Sequence, residues 1–429
     1  MASEWRQRKI GDIIACNTDT YSPKEKWPFV NYLDTGNITK GTIDSFQLIT
    51  DHDALPTRAR RKVQPGDIVY STVRPNQNHY GIIKQPLPNM LVSTGFAVIR
   101  GVQGECDTRF LYYYLTQLTI IDYLHSVGEN STSAYPSVRP TDIESLDICL
   151  PPLSIQMRIA DILGKLDDKI ELNRRMNRTL EKMAAAIFKS WFIDFDPVHA
   201  KAEGRDPNLP AEISNLFPER IEESELGAIP TGWRRGSLVD VADSPRRGVN
   251  PSDVPMTTPY IGLEHMPRRC IALDVWGLAE DVASAKSQFR QGEILFGKLR
   301  PYFHKVGIAP VDGVCSTDIV VVTPKFKDWH GYVISLVSSK AFVDYTDSHS
   351  AGTKMPRTNW KDMGHYPLAL PPVALAKAFQ GHVASIHQRI VLNVRQNRRL
   401  AGLRDTLLPK LLSGETELPA AESIVESVQ

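Results

Sequence analysis

The sequence has few cysteines and no long apolar segment. Its 429 residues include five cysteines, which lie far apart and contain no Cys-x-x-Cys pair. This spacing predicts neither a disulfide framework nor a zinc site. No apolar run is long enough to cross a bilayer, and residues 1–6 lack the apolar core of a signal peptide. The sequence therefore predicts a cytoplasmic protein without a membrane span.

An excess of charge is also absent. The 50 basic residues balance 49 acidic ones and give a formal net charge of +1. This balance excludes a surface that is basic throughout, although local basic patches remain possible. With 42% hydrophobic residues over this length, the composition is that of a globular protein with two or three domains.

Catalytic motifs are missing as well. The stretch "QGEILFGKLRP" (291–301) has Gly292, Gly297 and Lys298 at the spacing of a phosphate-binding loop, but Leu299 stands where Ser or Thr would bind the metal. The sequence has no glycine-rich S-adenosylmethionine loop, no Asn-Pro-Pro-Tyr-type tetrad, no His-Glu-x-x-His motif and no nuclease core. A nuclease or methyltransferase stays open as an alternative only if its catalytic set lies outside these motifs.

What the sequence does contain is a long internal repeat. The stretch "QPGDIVYSTVRP" (64–75) matches "RQGEILFGKLRP" (290–301), and "YPSVRPTDIESLDICLPP" (135–152) matches "MPRTNWKDMGHYPLALPP" (355–372). A long helical pattern follows each Leu-Pro-Pro. The repeat predicts an α/β (α+β) chain with two mixed α/β units, each followed by a long helix.

The two helical patterns predict an antiparallel coiled coil, because apolar residues and asparagines recur in alternating steps of four and three. These positions are Ile159, Leu163, Leu166, Ile170, Asn173, Asn177, Leu180, Ala184 and Ile187, then Phe379, Val383, Ile386, Ile390, Asn393, Asn397, Leu400, Arg404 and Leu407. If paired residue numbers add up to 570, Asn173 faces Asn397 and Asn177 faces Asn393. The alternative is two amphipathic helices that each lie on a globular domain.

These features resemble the specificity (S) subunits of type I restriction–modification systems. The segment "LPPLSIQMRIADILGKLDDKIELNRRMNRTLEKMAAAIFKSWF" is similar to the central conserved region of that family, and "LGAIPTGW" (226–233) is similar to its entry into the second recognition domain. The resemblance covers nearly the whole chain. The domain organisation that we expect is target-recognition domains at 1–150 and 232–370, long helices at 151–195 and 371–413, an extended connector at 196–231 and a C-terminal tail at 414–429.

The resemblance implies a non-catalytic DNA-recognition subunit. Each recognition domain would bind one half of a split site in double-stranded DNA, and the helix pair would hold the domains apart and bind two methyltransferase (M) subunits. Restriction (R) subunits would complete the complex. S-adenosylmethionine, ATP and magnesium would belong to these partners, so no cofactor is expected on this chain. The alternatives are a recognition subunit of a related type II or other defence system, and a scaffold whose repeated units bind proteins.

Base recognition is expected where the two units differ and hydrogen-bond donors cluster, because each unit should recognise a different half-site. Arginine suits guanine, and asparagine or glutamine suits adenine. The candidates are Arg58, Arg60, Arg61, Lys62, Arg74, Asn76, Gln77, Asn78, Arg246, Arg247, Arg268, Arg269, Lys298, Arg300, Lys305 and Lys354. Arg74 and Arg300 are shared by both units, so phosphate contacts and structural salt bridges are equally compatible with them.

Overall fold

The computed structural model describes residues 5–130, 135–281, 284–352 and 354–428. The chain forms two compact units: unit 1 consists of Met1–Asp168 with Leu400–Gln429, and unit 2 of Lys169–Arg399. The described helices are α1 (Thr108–Leu115), α2 (Leu118–Glu129), α3 (Pro140–Glu144), α4 (Leu153–Phe192), α5 (Asp196–Ala202), α6 (Ala211–Ser214), α7 (Leu238–Val241), α8 (His330–Val337), α9 (Lys340–Ser348), α10 (Trp360–Gly364), α11 (Val373–Leu412) and α12 (Leu418–Glu426).

Unit 1 contains two four-stranded sheets. Its strands are β1 (Arg6–Lys9), β2 (Ile14–Cys16), β3 (Val30–Leu33), β4 (Ile38–Thr39), β5 (Thr42–Ile43), β6 (Gln47–Ile49), β7 (Ala59–Lys62), β8 (Ile68–Ser71), β9 (Tyr80–Ile82), β10 (Met90–Ser93), β11 (Phe96–Gly101) and β12 (Asp147–Leu150). The sheet orders are β2-β11-β8-β9 and β6-β3-β10-β7, while β4–β5 and β1–β12 form separate ribbons. Strands β3 and β10 run parallel, and the other pairs in the two sheets are antiparallel.

Unit 2 repeats this topology. Its strands are β13 (Ile221–Ser224), β14 (Gly227–Pro230), β15 (Arg234–Ser237), β16 (Ala242–Asp243), β17 (Gly248–Val249), β18 (Pro259–Ile261), β19 (Gly277–Leu278), β20 (Lys286–Phe289), β21 (Ile294–Gly297), β22 (Val306–Ile308), β23 (Gly313–Cys315), β24 (Ile319–Pro324) and β25 (Pro367–Leu370). The order β16-β24-β21-β22 corresponds to β2-β11-β8-β9, and β20-β23-β18-β19 corresponds to β7-β10-β3-β6, with β17 added beside β20. The predicted mixed fold, built twice, is confirmed.

The repeated Gly-acid turn has the same structure in both units. Gly66 and Gly292 have φ angles of +90° and +85°, a region that glycine enters without a steric penalty. The acidic residue that follows each glycine is buried and accepts hydrogen bonds from an arginine, Asp67 from Arg100 and Glu293 from Arg247. All four residues of β8 and of β21 are buried. The stretch 291–301, which has the glycine and lysine spacing of a phosphate-binding loop, therefore contains a core strand. The matching stretch 64–75 predicts the same structure.

The two long helices pack together as a coiled coil. Within unit 2, Asn173 Nδ2 donates to Asn397 Oδ1 at 2.9 Å, and Asn393 Nδ2 donates to Asn177 Oδ1 at 2.8 Å. These are the two pairs that the sum of 570 predicts, and all four side chains are buried. The alternative of helices that pack only on their own domains does not account for these direct amide pairs.

A partly buried ion pair occupies the one charged position of the predicted seam. Within unit 1, Arg404 on α11 donates to Asp167 Oδ1 on α4 at 2.6 Å, and the Tyr113 hydroxyl donates to the other oxygen of Asp167 at 2.8 Å. Leu163 and Leu407 are buried in the same unit. Despite its burial, Arg404 has a raised pKa because Asp167 and Asp405 stabilise its charge.

Two segments are more ordered than the sequence predicts. The stretch 196–231, predicted as an extended connector, contains α5, α6 and the β13–β14 hairpin, and it buries Val198, Phe217 and Ile229 in the core of unit 2. Its Lys201 Nζ donates to the carbonyl of Phe217 at 2.7 Å. Residues 414–429, predicted as a tail, contain α12, whose Glu422 forms a bidentate salt bridge with Arg158 of α4. Proline, glycine and acidic residues mark turns here, and the few apolar residues between them are enough to anchor both segments.

The buried His387 of α11 lies beside the partly buried His330 of α8 in unit 2. The rings of His330 and His387 have their centroids 6.0 Å apart, and His330 Nε2 lies 2.8 Å from the carbonyl oxygen of Gly292. Burial, and then the neighbouring His330, lower the pKa of His387 to about 3. Burial also lowers the pKa of His330.

The asparagine pairs predict a difference between single and double substitutions. Asn173→Leu or Asn397→Leu alone should lower the free energy of unfolding by about 1–3 kcal/mol, because each leaves a buried amide without its partner. The double variant should be as stable as the parent or more stable, with a less strictly defined helix register. Chemical denaturation measures both, with Gln388→Leu at an exposed position of α11 as the control. Single variants as stable as the parent would show that these amides do not depend on each other.

The histidine pair predicts a loss of stability in acid. Below the unfolded-state pKa near 6.5, the unfolded chain takes up a proton at position 387 that the folded chain does not take up until about pH 3. The stability that the neutral His387 contributes is fully present above pH 6.5 and declines as the pH falls toward 3. His387→Leu should therefore flatten the decline of the unfolding temperature between pH 7 and 5, whereas His52→Ala at an exposed position should not. An unchanged decline in the His387 variant would contradict this assignment.

Candidate nucleic-acid interface

Each unit presents a basic turn at the end of a hairpin of core strands. We call residues 72–79, between β8 and β9, tip turn 1, and residues 298–305, between β21 and β22, tip turn 2. Each contains a short 3-10 helix, Pro75–Gln77 or Pro301–Phe303. A left-handed residue precedes and follows each 3-10 helix: Arg74 and Asn78 in tip turn 1, and Arg300 and His304 in tip turn 2.

The two tip turns are anchored in the same way. Arg74 N donates to the carbonyl of Pro136 at 2.8 Å, and Arg300 N donates to that of Pro356 at 2.7 Å. These prolines match each other in the repeat. The Arg74 guanidinium lies 4.9 Å from the Tyr135 ring centre, and that of Arg300 lies 5.9 Å from the Phe303 ring centre. Among the described residues neither arginine forms a salt bridge, so the salt-bridge alternative for the shared arginines finds no support here.

Tip turn 2 brings five of the predicted residues together. Lys298, Arg300 and Lys305 belong to the turn itself. Arg269 N donates to the His304 carbonyl at 2.8 Å, and the Arg268 guanidinium lies 4.1 Å from the Phe303 ring centre. Lys305 Nζ donates to the Leu263 carbonyl at 2.6 Å, and burial followed by the charge of Arg268 lowers the pKa of Lys305.

Tip turn 1 carries amides where tip turn 2 carries aromatic and basic side chains. Asn76 Nδ2 lies 3.0 Å from His125 Nε2 on α2, and Gln77 Oε1 lies 3.1 Å from His79 Nε2. Asn78 Nδ2 donates to the Asn76 carbonyl at 2.9 Å. The exposed Arg58 lies beside this turn, since Thr94 N donates to the Arg58 carbonyl and Thr72 N donates to that of Gly95.

The remaining candidates lie elsewhere or use their charge within their own unit. Lys62 pairs with Glu25 at 2.8 Å, Arg247 pairs with the buried Glu293, and Arg60 Nε donates to the Thr57 carbonyl at 3.2 Å. Other candidates away from the tip turns are Arg61, on strand β7, and the exposed Arg246 and Lys354. The sequence also predicts DNA-facing loops at the small polar stretches 130–133 and 350–354, of which residues 131–133 and 353 lie outside the described part of the chain.

Lys40 is a basic residue at tip turn 1 that the sequence comparison missed. It is exposed, its φ angle is +45°, and its N–H donates to the Asn78 carbonyl at 2.9 Å. Arg269 has the same position in unit 2, with a φ angle of +53° and a bond to His304. The two differ by 229 positions rather than the 226 of the matched hairpin, so an alignment without gaps does not pair them.

The chain is similar to proteins of known function. A family model described as the type I restriction modification DNA specificity domain matches residues 2–182. The HindI type I restriction enzyme specificity subunit of Haemophilus influenzae is 26% identical over 96% of this chain and 100% of its own length. The MjaIX specificity subunit of Methanocaldococcus jannaschii is 24% identical over 96% of this chain and 93% of its own. Residues 2–182 thus carry this DNA specificity domain, and the chain as a whole is similar to type I restriction enzyme specificity subunits.

The fold of this chain also has a counterpart among solved structures. The crystal structure of the type I restriction–modification S subunit from M. genitalium matches with a TM-score of 0.53 at 16% identity, over 95% of this chain and 96% of that one. Within the described ranges, no helix is long and apolar enough to cross a membrane. In the same ranges, no group of three or more His, Cys, Asp and Glu side chains is placed to hold a metal ion.

Four of the nine buried side-chain polar atoms that lack a hydrogen-bond partner among the described residues lie at the two tip turns. Asn78 Oδ1 and His125 Nδ1 at tip turn 1, and Arg300 Nε and Thr358 Oγ1 at tip turn 2, are buried without a hydrogen-bond partner in the described part of the protein. Thr358 belongs to tip turn 2 because its N–H donates to the Lys298 carbonyl. Each such atom costs about 1–3 kcal/mol, and each left-handed non-glycine residue roughly 1–2 kcal/mol. Such costs typically concentrate at functional sites.

Proposed function

We propose that this specificity subunit acts in the cytoplasm, where it recognises a split site in double-stranded DNA, one half through each unit. The observation that carries the proposal is that the same exposed turn is built twice, with one backbone geometry and two sets of side chains. Amides dominate tip turn 1 and suit adenine, while arginine and lysine dominate tip turn 2 and suit guanine. An identical scaffold with different donors is what two different half-sites require.

The charge distribution supports the same proposal. A net charge of +1 provides no general attraction to DNA. The local concentration of Arg268, Arg269, Lys298, Arg300 and Lys305 around one turn provides attraction at a defined place. The candidates Lys62 and Arg247 carry less weight, because acidic neighbours already neutralise them.

We further propose that the outer surface of α4 and α11 binds two methyltransferase subunits, which recruit the restriction subunits. Several large apolar side chains on these helices are about half exposed, among them Leu172 at 50%, Met183 at 50% and Leu392 at 46%. Exposed apolar side chains on rigid helices suit a protein partner. S-adenosylmethionine, ATP and magnesium would then act on the partner subunits, and this chain would contribute recognition alone.

Exchange of one recognition domain tests the proposal. Replacing residues 232–370 with the same domain of a relative that has a different specificity should change one half of the methylated site and preserve the other half. The reciprocal replacement of residues 1–150 should change the other half. Sequencing of methylated adenines in cells that carry each hybrid measures both. A change in both halves from one replacement would show that the units do not recognise DNA independently, and no methylation-site change from either would favour a protein scaffold.

A second prediction concerns helix length, because we propose that the helix pair sets the spacing between the half-sites. Four residues inserted after Asp168, with four more after Ala401 at the matching height, lengthen the pair by about 6 Å and rotate it by about 40°. DNA rises about 3.4 Å and turns roughly 35° per base pair. The added helix length therefore matches about two additional base pairs of DNA, whereas the added helix rotation matches about one.

The unspecified spacer of the methylated site should therefore grow by about one or two base pairs, and the half-sites should stay the same. An active insertion variant that keeps the parental spacer would mean that the helices do not set the distance. An insertion of the same length in the β13–β14 turn, between Ser224 and Gly227, is the control and should leave the spacer unchanged.

A further inference from the structure

The backbone of each tip turn is completed by a basic residue from a different part of the chain. In unit 1, Lys40 N donates to the carbonyl oxygen of Asn78. Asn78 is the second left-handed residue of tip turn 1, and Arg74 is the first. In unit 2, Arg269 N donates to the carbonyl oxygen of His304, the second left-handed residue of tip turn 2. The first left-handed residue of that turn is Arg300. We call Lys40 with Arg74, and Arg269 with Arg300, the left-handed basic pairs.

We propose that the left-handed basic pairs bind DNA phosphates, one pair in each half of the site. This rests on the proposed function and names the groups that hold the DNA irrespective of its sequence. Residues between and beside them, such as Gln77 in unit 1 and Tyr302 in unit 2, are left to contact bases.

The first support is that two segments of different sequence place a basic residue in the same left-handed backbone conformation. Lys40 lies in "NITKG" and Arg269 in "MPRRC", and the segments share no residue at matched positions around the basic side chain. All four pair members nevertheless have φ angles between +45° and +53°. Glycine and asparagine adopt this conformation at the lowest cost, yet lysine or arginine occupies all four positions. A positive charge is the property that the four side chains share.

The second support is that no acidic side chain among the described residues neutralises these four charges. None of the four side chains takes part in a salt bridge between described residues, whereas Lys62 and Arg247 both do. Lys40, Arg74 and Arg269 are exposed. Arg300 is partly buried, and its Nε has no hydrogen-bond partner in the described part of the protein.

The third support is that the pairs occur in both units. Two units that recognise different half-sites cannot use the same residue type in the same place to distinguish bases. A shared charge at a shared position suits the phosphate backbone, which is the same at every site. The side chains that differ between the tip turns remain available for the bases.

Substitution by glycine separates a DNA-binding role from a structural one. Lys40→Gly and Arg269→Gly remove a charge and also remove backbone strain, so both should raise the unfolding temperature while weakening DNA binding. Affinity should fall by a similar factor for a duplex carrying the methylated site and for a scrambled duplex of the same composition. The slope of log K against log salt should become less negative by about 1 for each lost phosphate contact.

The measurements use the full chain in complex with its methyltransferase subunits. Lys26→Gly is the matched control, because Lys26 is also exposed and left-handed, with a φ angle of +44°, but follows the 3-10 helix Pro23–Glu25 away from tip turn 1. It should raise the unfolding temperature without changing affinity or salt slope. Lys40→Arg keeps the charge and should bind like the parent.

The outcomes distinguish this inference from the proposed function. A parent complex that binds both duplexes equally would overturn the proposed function. A parent that prefers its site, together with glycine variants of parental affinity and salt slope, would overturn the role of the left-handed basic pairs alone. A changed site preference in a glycine variant would also overturn it, because the lost contact would then be to a base.

Discussion

The buried amide pairs between α4 and α11 constrain the register of the helix pair to which both repeated units connect. An apolar coiled coil of the same length could slide by one heptad at little cost, because leucine and isoleucine layers resemble one another. With Asn173 paired to Asn397 and Asn177 paired to Asn393, a slide would leave buried amides unpartnered. Both helices have residues in each unit, so segments of this one helix pair belong to unit 1 and to unit 2.

The repeat separates what builds the scaffold from what recognises the ligand. Both units keep a left-handed glycine followed by a buried acid that accepts from an arginine, and removing one partner of such an ion pair is strongly destabilising. Both keep the bond from the tip-turn arginine to a matched proline carbonyl. The side chains within the turns are free of these constraints, and there the two units diverge. If the proposed function holds, stability and specificity depend on different residues of the same hairpin.

The sequence predicted those features whose physical cause is local or periodic. The core strands follow from apolar runs bounded by a glycine turn, and the helix seam follows from its spacing, including the amide pairs. The folding of 196–231 could not be predicted, because its proline, glycine and acidic composition hides three apolar anchors that only the tertiary structure brings together. Lys40 was missed for a related reason: it meets Asn78 through a backbone bond between segments whose spacing differs between the units. The internal pairing of Lys62 and Arg247 likewise depends on neighbours distant in the sequence.

The central claim is that one chain presents two independent DNA-recognition surfaces at a constant separation. Its most direct test is selection of bound duplexes from a random DNA library by the full chain in complex with its methyltransferase subunits, followed by sequencing. The account predicts two short specified blocks of different sequence, separated by an unspecified spacer of constant length. A single continuous block, or two blocks at variable distances, would contradict it.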